Sequence, residues 1–304
     1  MMDDIYNILD NQEQSTPKQE PQAVAEEFDK EAWAEKKKIE REFAYATMEE
    51  AAGEVGTKSD VLIQYLDMQA RFDRYSVGNV LLIMSQSPEA TRLKDYDGWK
   101  EAGTGVRPGQ TGIIILEPGN EYQREDGTTA TSFNTKKVFD VSQTFDSNKS
   151  QPQVSRDERY IMKALVKSSV VPIKAVDNLS VTTLGAFYDD KQKCVLVRRG
   201  LENSEFMQAV TQELAHANLA RKGNYDRSEK GFEAYCVSYM MCHKNGFDTS
   251  AYEFKELPKK FSGMDAGDVR NTLAEIRDIL VDMNGGIQKS FEQAKSTKQK
   301  DHER

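Results

Sequence analysis

The sequence predicts an α+β fold in two parts, a mixed part of helices and a small sheet followed by a mostly helical part with its own small sheet. Three observations carry this. Apolar residues recur at helical spacing in long runs at both ends of the chain. Short β-rich runs bounded by Gly, Pro and Asp lie between them. The polar stretch Asp146 to Ser155 separates a strand-rich region from a new helical start. The length of 304 residues suits about two domains.

In order, residues 1–25 read as a disordered segment. It is Gln/Pro/Ser/Glu-rich after a small apolar set, Ile5, Tyr6, Ile8 and Leu9, that is either a frayed end or a short partner-binding motif. Glu26 to Val55 turns helical, with an interrupted stripe of Phe28, Trp33, Ile39, Phe43, Ala46 and Met48. Gly56 to Ser59 breaks it, and Ser59 can cap the next helix. Two helical stretches run to about Ser85 and end at Ser87-Pro88. Asp95 to Gly112 is turn-rich. Thr111 to Leu116 and Lys136 to Ser142 are strands around a polar hairpin or loop, Pro118 to Ser132. Beyond the boundary come a helix over Arg156 to Ser169, strands at Val170–Ala175, Gly185–Asp189 and Cys194–Val197, and helices over Glu205–Arg221, Phe232–Lys244 and Asp268–Met283. Asn245-Gly246 reads as a helix C-cap. Domains are expected at 26–148 and 156–288, with a charged tail over 289–304.

Net charge is −9 and the pI about 5.1. A non-specific duplex-DNA binder is usually basic overall, so nucleic-acid binding here requires a local surface. Cys194, Cys236 and Cys242 lack close pairing, which fits free thiols in a reducing cytosol and a cytoplasmic location. No secretion signal or membrane-spanning run is expected.

Thr211-Gln212-Glu213-Leu214-Ala215-His216-Ala217 reads as a damaged metalloprotease signature. The intact His-Glu-x-x-His places two imidazoles one turn apart to hold zinc, and its Glu acts as general base. Here Glu213 and His216 remain, and Gln212 stands where the first imidazole belongs. A neutral amide oxygen is a weak zinc ligand. His243 does not restore the set, because it lies ten positions after Glu233, about 280° around and about 15 Å along a helix.

In the first part, Phe72-x-x-Tyr75-Ser76-x-x-Asn79 is followed by Pro88-Glu89-Ala90-Thr91 and Trp99-x-x-x-Gly103-x-x-Val106-x-x-Gly109. Ile113-Ile114-Ile115-Leu116-x-Pro118 and Val138-Phe139-Asp140-Val141-Ser142-Gln143-Thr144 come next. This ordered set resembles the N-terminal domain of ArdC-type antirestriction proteins, a family of conjugative plasmids and other mobile elements. The resemblance implies a single-stranded-DNA-binding domain followed by a zincin-like, metallopeptidase-type domain. It implies a DNA-binding surface involving Arg71, Arg74, Tyr75, Asn79, Trp99, Lys100 and Gln143. It also implies a third metal ligand at Glu233, giving His216, Glu233 and Gln212 as a degenerate site with Glu213 as vestigial base. Composition alone favours ordinary core and surface for these residues.

The expected function is that of an accessory protein of a mobile element or phage that binds and protects incoming single-stranded DNA. Its peptidase-like half is catalytically impaired, with no tightly bound cofactor and at most weakly held zinc. A metallopeptidase with an altered Gln/His/Glu site and a protein–protein interaction scaffold are the alternatives. Single-stranded DNA and a host or element-encoded protein are the expected partners, and no membrane.

Overall fold

Helix α1, Lys30–Thr57, opens the described part of the chain. The computed structural model describes residues 29–146, 157–180, 185–223, 225–254 and 259–302, the side chains of 259 and 294–302 excepted. The expected N-terminal segment and most of the expected boundary stretch lie outside these residues.

Residues 37–304 form one compact unit. Within it, α2 (Ser59–Arg71) and α3 (Val77–Gln86) follow α1. Lys58, not Ser59, is the cap residue of α2 and makes no side-chain capping bond. Ser76 caps α3 by accepting from the Asn79 N–H at 3.3 Å. Strand β1 (Leu93–Lys94) leads into the short α4 (Tyr96–Glu101), capped by Asp95. Strands β2 (Ile113–Gln123) and β3 (Thr129–Asp140) form a hairpin much longer than the two short expected strands. The outer half of that hairpin is polar and largely exposed, so no apolar alternation marks it in the sequence. After Asp140 the chain turns into a 3₁₀ turn, Val141–Gln143, where a strand end is expected.

The first sheet has the order β1-β3-β2 with antiparallel pairs. Strand β2 is therefore an edge whose backbone groups need partners. Two amide side chains on α3 supply them. Asn79 donates to and accepts from Leu116 at 2.8 Å in both directions. Gln86 does the same for Ile114 at 2.8 and 2.9 Å.

Helix α5 (Glu158–Lys167) starts the second part. Strands β4 (Ile173–Val176), β5 (Ala186–Asp189) and β6 (Cys194–Arg198) form a mixed sheet of order β4-β6-β5, parallel between β4 and β6. Gly200, at φ 83°, turns the chain from β6 toward α6 (Asn203–Arg221). Helix α7 (Gly231–Asn245) ends at Gly246 in the left-handed conformation, as the Asn-Gly pair predicts. Helix α8 (Ala266–His302) runs well past the expected end at Met283, because Ile287 and Phe291 continue its buried stripe. The architecture is thus mixed α and β with two small sheets.

One apolar cluster runs through both parts, from Leu62, Tyr65 and Leu66 on α2 to Val237 and Met241 on α7 and Ile276 and Leu280 on α8. Polar bonds reinforce this seam. Tyr239 donates to Asp67 at 2.7 Å, Lys244 to the Ala70 carbonyl at 2.8 Å, and Asn284 to Asp73 at 2.6 Å. The three cysteines are buried and unpaired, as expected for thiols.

Candidate functional site

The seven expected DNA-binding residues divide by what they touch. Trp99 is 1% exposed and donates its indole N–H to the Phe139 carbonyl at 2.8 Å, with the Arg92 guanidinium 4.9 Å above its ring. Asn79 is the β2 clamp already described. Gln143 closes a capping box with Asp140 and donates to the Thr111 carbonyl at 2.8 Å. Arg71 donates to the Ala90 carbonyl at 2.6 Å. These four side chains hold loops and edges together. Arg74 and Lys100 are exposed, and their side chains make no hydrogen bond or ion pair among the described residues. Tyr75 is half-buried, packs edge-on against Phe72 at 5.7 Å, and lines a 310 Å³ depression with Lys94 and Lys136. Lys136 is not a bare cation there, because it pairs with Asp95 at 2.7 Å and Glu117 at 3.5 Å.

The signature helix α6 packs under β5, and Glu213 points to that strand. Its carboxylate accepts the Tyr188 N–H at 2.7 Å and both nitrogens of the Arg227 guanidinium at 2.7 and 2.8 Å. Arg227 also lies 4.9 Å over the Phe187 ring. Glu213 is 3% exposed. Both of its oxygens are thus engaged in a buried ion pair. His216 is 2% exposed, with Tyr225 Oη 3.1 Å from Nδ1. Burial first, and the Arg227 charge second, push its pKa down to about 3, so the ring is neutral at physiological pH. Gln212 and Glu213 both line a 280 Å³ depression with Glu205, Gln208 and Tyr252.

Glu233, fully buried, has one oxygen near two ammonium groups, Lys260 at 3.0 Å and Lys230 at 3.3 Å. Its other oxygen has no hydrogen-bond partner. Among the described residues no group of three or more His, Cys, Asp or Glu side chains is placed to hold a metal ion. The expected set of His216, Glu233 and Gln212 holds two such side chains and an amide, and its Glu233 already faces Lys230 and Lys260. A protein cation already neutralises each carboxylate, and a second positive charge would have to displace it. His243, set aside as a ligand in the sequence, is 3.3 Å from Asp67 at the far end of α7.

Residues 46–165 match the family model of the N-terminal domain of anti-restriction factor ArdC. Over this stretch the chain is similar to ArdC-type proteins. An uncharacterized protein of Bacillus anthracis, pXO2-81, is 25% identical over 242 residues, covering 62% of this chain and 41% of the relative. The chain thus spans about two fifths of the length of that curated relative. Two solved structures of the antirestriction ArdC protein from the R388 plasmid also align. The metal-free one has a TM-score of 0.46 at 16% identity, covering 71% of this chain and 86% of its own. The Mn(II)-bound one has 0.45 at 15% identity, covering 70% and 85%. No helix among the described residues is long and apolar enough to cross a membrane.

The ArdC-type stretch contains α2, α3 and the first sheet, and ends inside α5. Beyond it, sequence reasoning missed Tyr188, Tyr225, Arg227, Lys230 and Lys260. Tyr225, Arg227 and Lys230 show in the sequence only as cationic and aromatic residues in the loop Gly223 to Glu229 and just after it, and Tyr188 and Lys260 lie far from it along the chain. Nothing in their spacing points back to Glu213 or Glu233.

Proposed function

We propose that this chain is a single-stranded-DNA-binding, antirestriction-type accessory protein of a mobile element or phage. The match of residues 46–165 to the ArdC N-terminal domain carries the reading. Arg74 and Lys100 offer phosphate contacts, and Tyr75 offers an aromatic edge beside them, the combination single-strand binders use. The chain is acidic overall, with a net charge of −9, so binding relies on bases more than on phosphates. We read the second half as a zincin-like scaffold without peptidase activity, because the Arg227 bond pair removes Glu213 from base duty.

Fluorescence anisotropy with single- and double-stranded oligonucleotides at two salt concentrations tests the function. Preference for the single strand with a shallow salt dependence is expected, since the slope follows the number of phosphates neutralised. Tighter binding to the duplex would refute it. Arg74→Ala and Lys100→Ala should each weaken binding and reduce the salt slope without changing the melting temperature.

A further inference from the structure

The β2–β3 hairpin and helix α1 enclose a groove of about 460 Å³ that the functional reading does not use. Three aromatic side chains line it: Tyr45 from the helix, 42% exposed, with Tyr122 and Phe133 from the two strands, 51% and 41% exposed. Exposed apolar residues are ordinary when scattered singly. Three rings from three elements around one depression are not scattered. Arg41 stands one helical turn before Tyr45 on the same face of α1. Its guanidinium makes no ion pair among the described residues. Thr131, Ser132 and Asn134 add hydroxyl and amide groups at the edge.

The helix is held against the hairpin independently of these residues. The buried Glu40 accepts from Lys37 at 2.9 Å and from Thr135 Oγ1 at 3.0 Å, and pairs with Lys137 at 3.3 Å. The groove therefore has fixed walls, and its aromatic rings are not needed to hold them. No aliphatic side chain lines it. A groove for a protein helix presents Leu, Ile, Val or Met to aliphatic anchors. Rings with a hydrogen-bonding rim and one unpaired guanidinium match the flat faces and polar edges of nucleobases instead.

We propose that this groove is a base-stacking site for single-stranded nucleic acid, with Tyr122 and Phe133 as platforms, Tyr45 as a side wall and Arg41 as the phosphate or stacking cation. The assignment rests on the single-strand-binding reading and adds a second contact region to it. Lys136 and Val138, which line the Tyr75 depression, alternate along β3 with Thr135 and Lys137, which face α1. A strand reaching both regions passes around the hairpin. Glu121, paired in register with Thr131, keeps the local potential from being strongly positive, so stacking supplies most of the affinity here.

The test is anisotropy with a labelled oligo(dT), using wild type, Tyr122→Ala, Phe133→Ala and Tyr122→Phe, each checked by thermal melting. Each alanine variant is expected to lose roughly 5- to 150-fold in affinity, the effect of removing one stacking partner. Tyr122→Phe keeps the ring and is expected to bind like wild type. Photo-crosslinking with iodouracil-substituted oligonucleotide should label peptides containing Tyr122 or Phe133. Unchanged affinity in both alanine variants, with crosslinks elsewhere, overturns this assignment and leaves the functional reading standing. A wild type that binds no single strand overturns both.

Discussion

Replacing Arg227 by Met would leave the Glu213 carboxylate with the Tyr188 N–H and no counter-charge. Losing one member of a buried pair exposes the other to an uncompensated desolvation cost. Arg227 is a third exposed, so the expected loss is roughly 2–4 kcal/mol, toward the lower side for buried pairs. The double variant Glu213→Gln/Arg227→Met should recover part of it, and a thermodynamic cycle by urea unfolding measures the coupling. A second ion pair bears on metal binding. Gln212→His alone is expected to gain little zinc affinity, because Lys230 and Lys260 still hold the Glu233 carboxylate. Combined with Lys230→Ala and Lys260→Ala, it is expected to bind zinc measurably in calorimetric titration. Tight zinc binding by Gln212→His alone would show that the two lysines yield their place easily. Of this cluster, Glu213 and His216 stand out in the sequence by the spacing of a signature motif, and Glu233 only through the family resemblance. Arg227 was not, because a loop residue reaches its partner through the fold and leaves no periodic trace.

The Asp140 turn decides how β3 ends. Its buried carboxylate accepts the Thr91, Arg92 and Ser142 N–H groups at 2.7, 2.8 and 2.8 Å. Burial alone would raise its pKa; the N–H donors outweigh that and hold it below the ordinary carboxylate value. A depressed folded-state pKa means stability that is full above the unfolded value of about 3.9 and is lost as pH falls through the folded value. Asp140→Asn is expected to cost roughly 1–3 kcal/mol at pH 7. The gap to wild type should narrow below about pH 4, read from urea melts across pH. An equal gap at all pH values would mean that the charge plays no part. Asn79 shows why the role of a polar residue is hard to read at this scale. In the sequence, Asn79 stands in a motif beside aromatics and reads as a ligand-binding group. In the fold it closes a strand edge, a role that depends on β2 lying beside α3. The helices were legible from apolar spacing, and the inner strands from their Ile and Val runs. The outer hairpin was not, because exposed strand residues carry no burial pattern.

The polar stretch between the two sheets marks a place to cut the chain, while the core does not divide there. Leu62, Tyr65 and Leu66 of α2 belong to the same buried cluster as Val237 and Met241 of α7, and each such apolar side chain contributes roughly 1.5–3 kcal/mol by its burial. Limited proteolysis within residues 147–156 is therefore expected to give two fragments that elute together in size-exclusion chromatography and separate only in denaturant. Residues 37–146 expressed alone should aggregate or bind a hydrophobic dye, because the faces of α2 and α3 lose their cover. Fragments that part freely after cleavage would refute the shared core. Arg277 on α8 donates to the Tyr75 carbonyl at 3.2 Å, so the second part also fixes the loop that presents Arg74 and Tyr75.

That seam bears on how such a gene can be rearranged. A recombination junction placed at residue 165, where the recognisable family stretch stops, would cut inside α5 and strip α2 of its neighbour α7 and α3 of its neighbour α8. Chimaeras joined there should be recovered as insoluble protein. Those that inherit both helices with the front of the chain should fold, so selection on exchange products would keep the two halves travelling together.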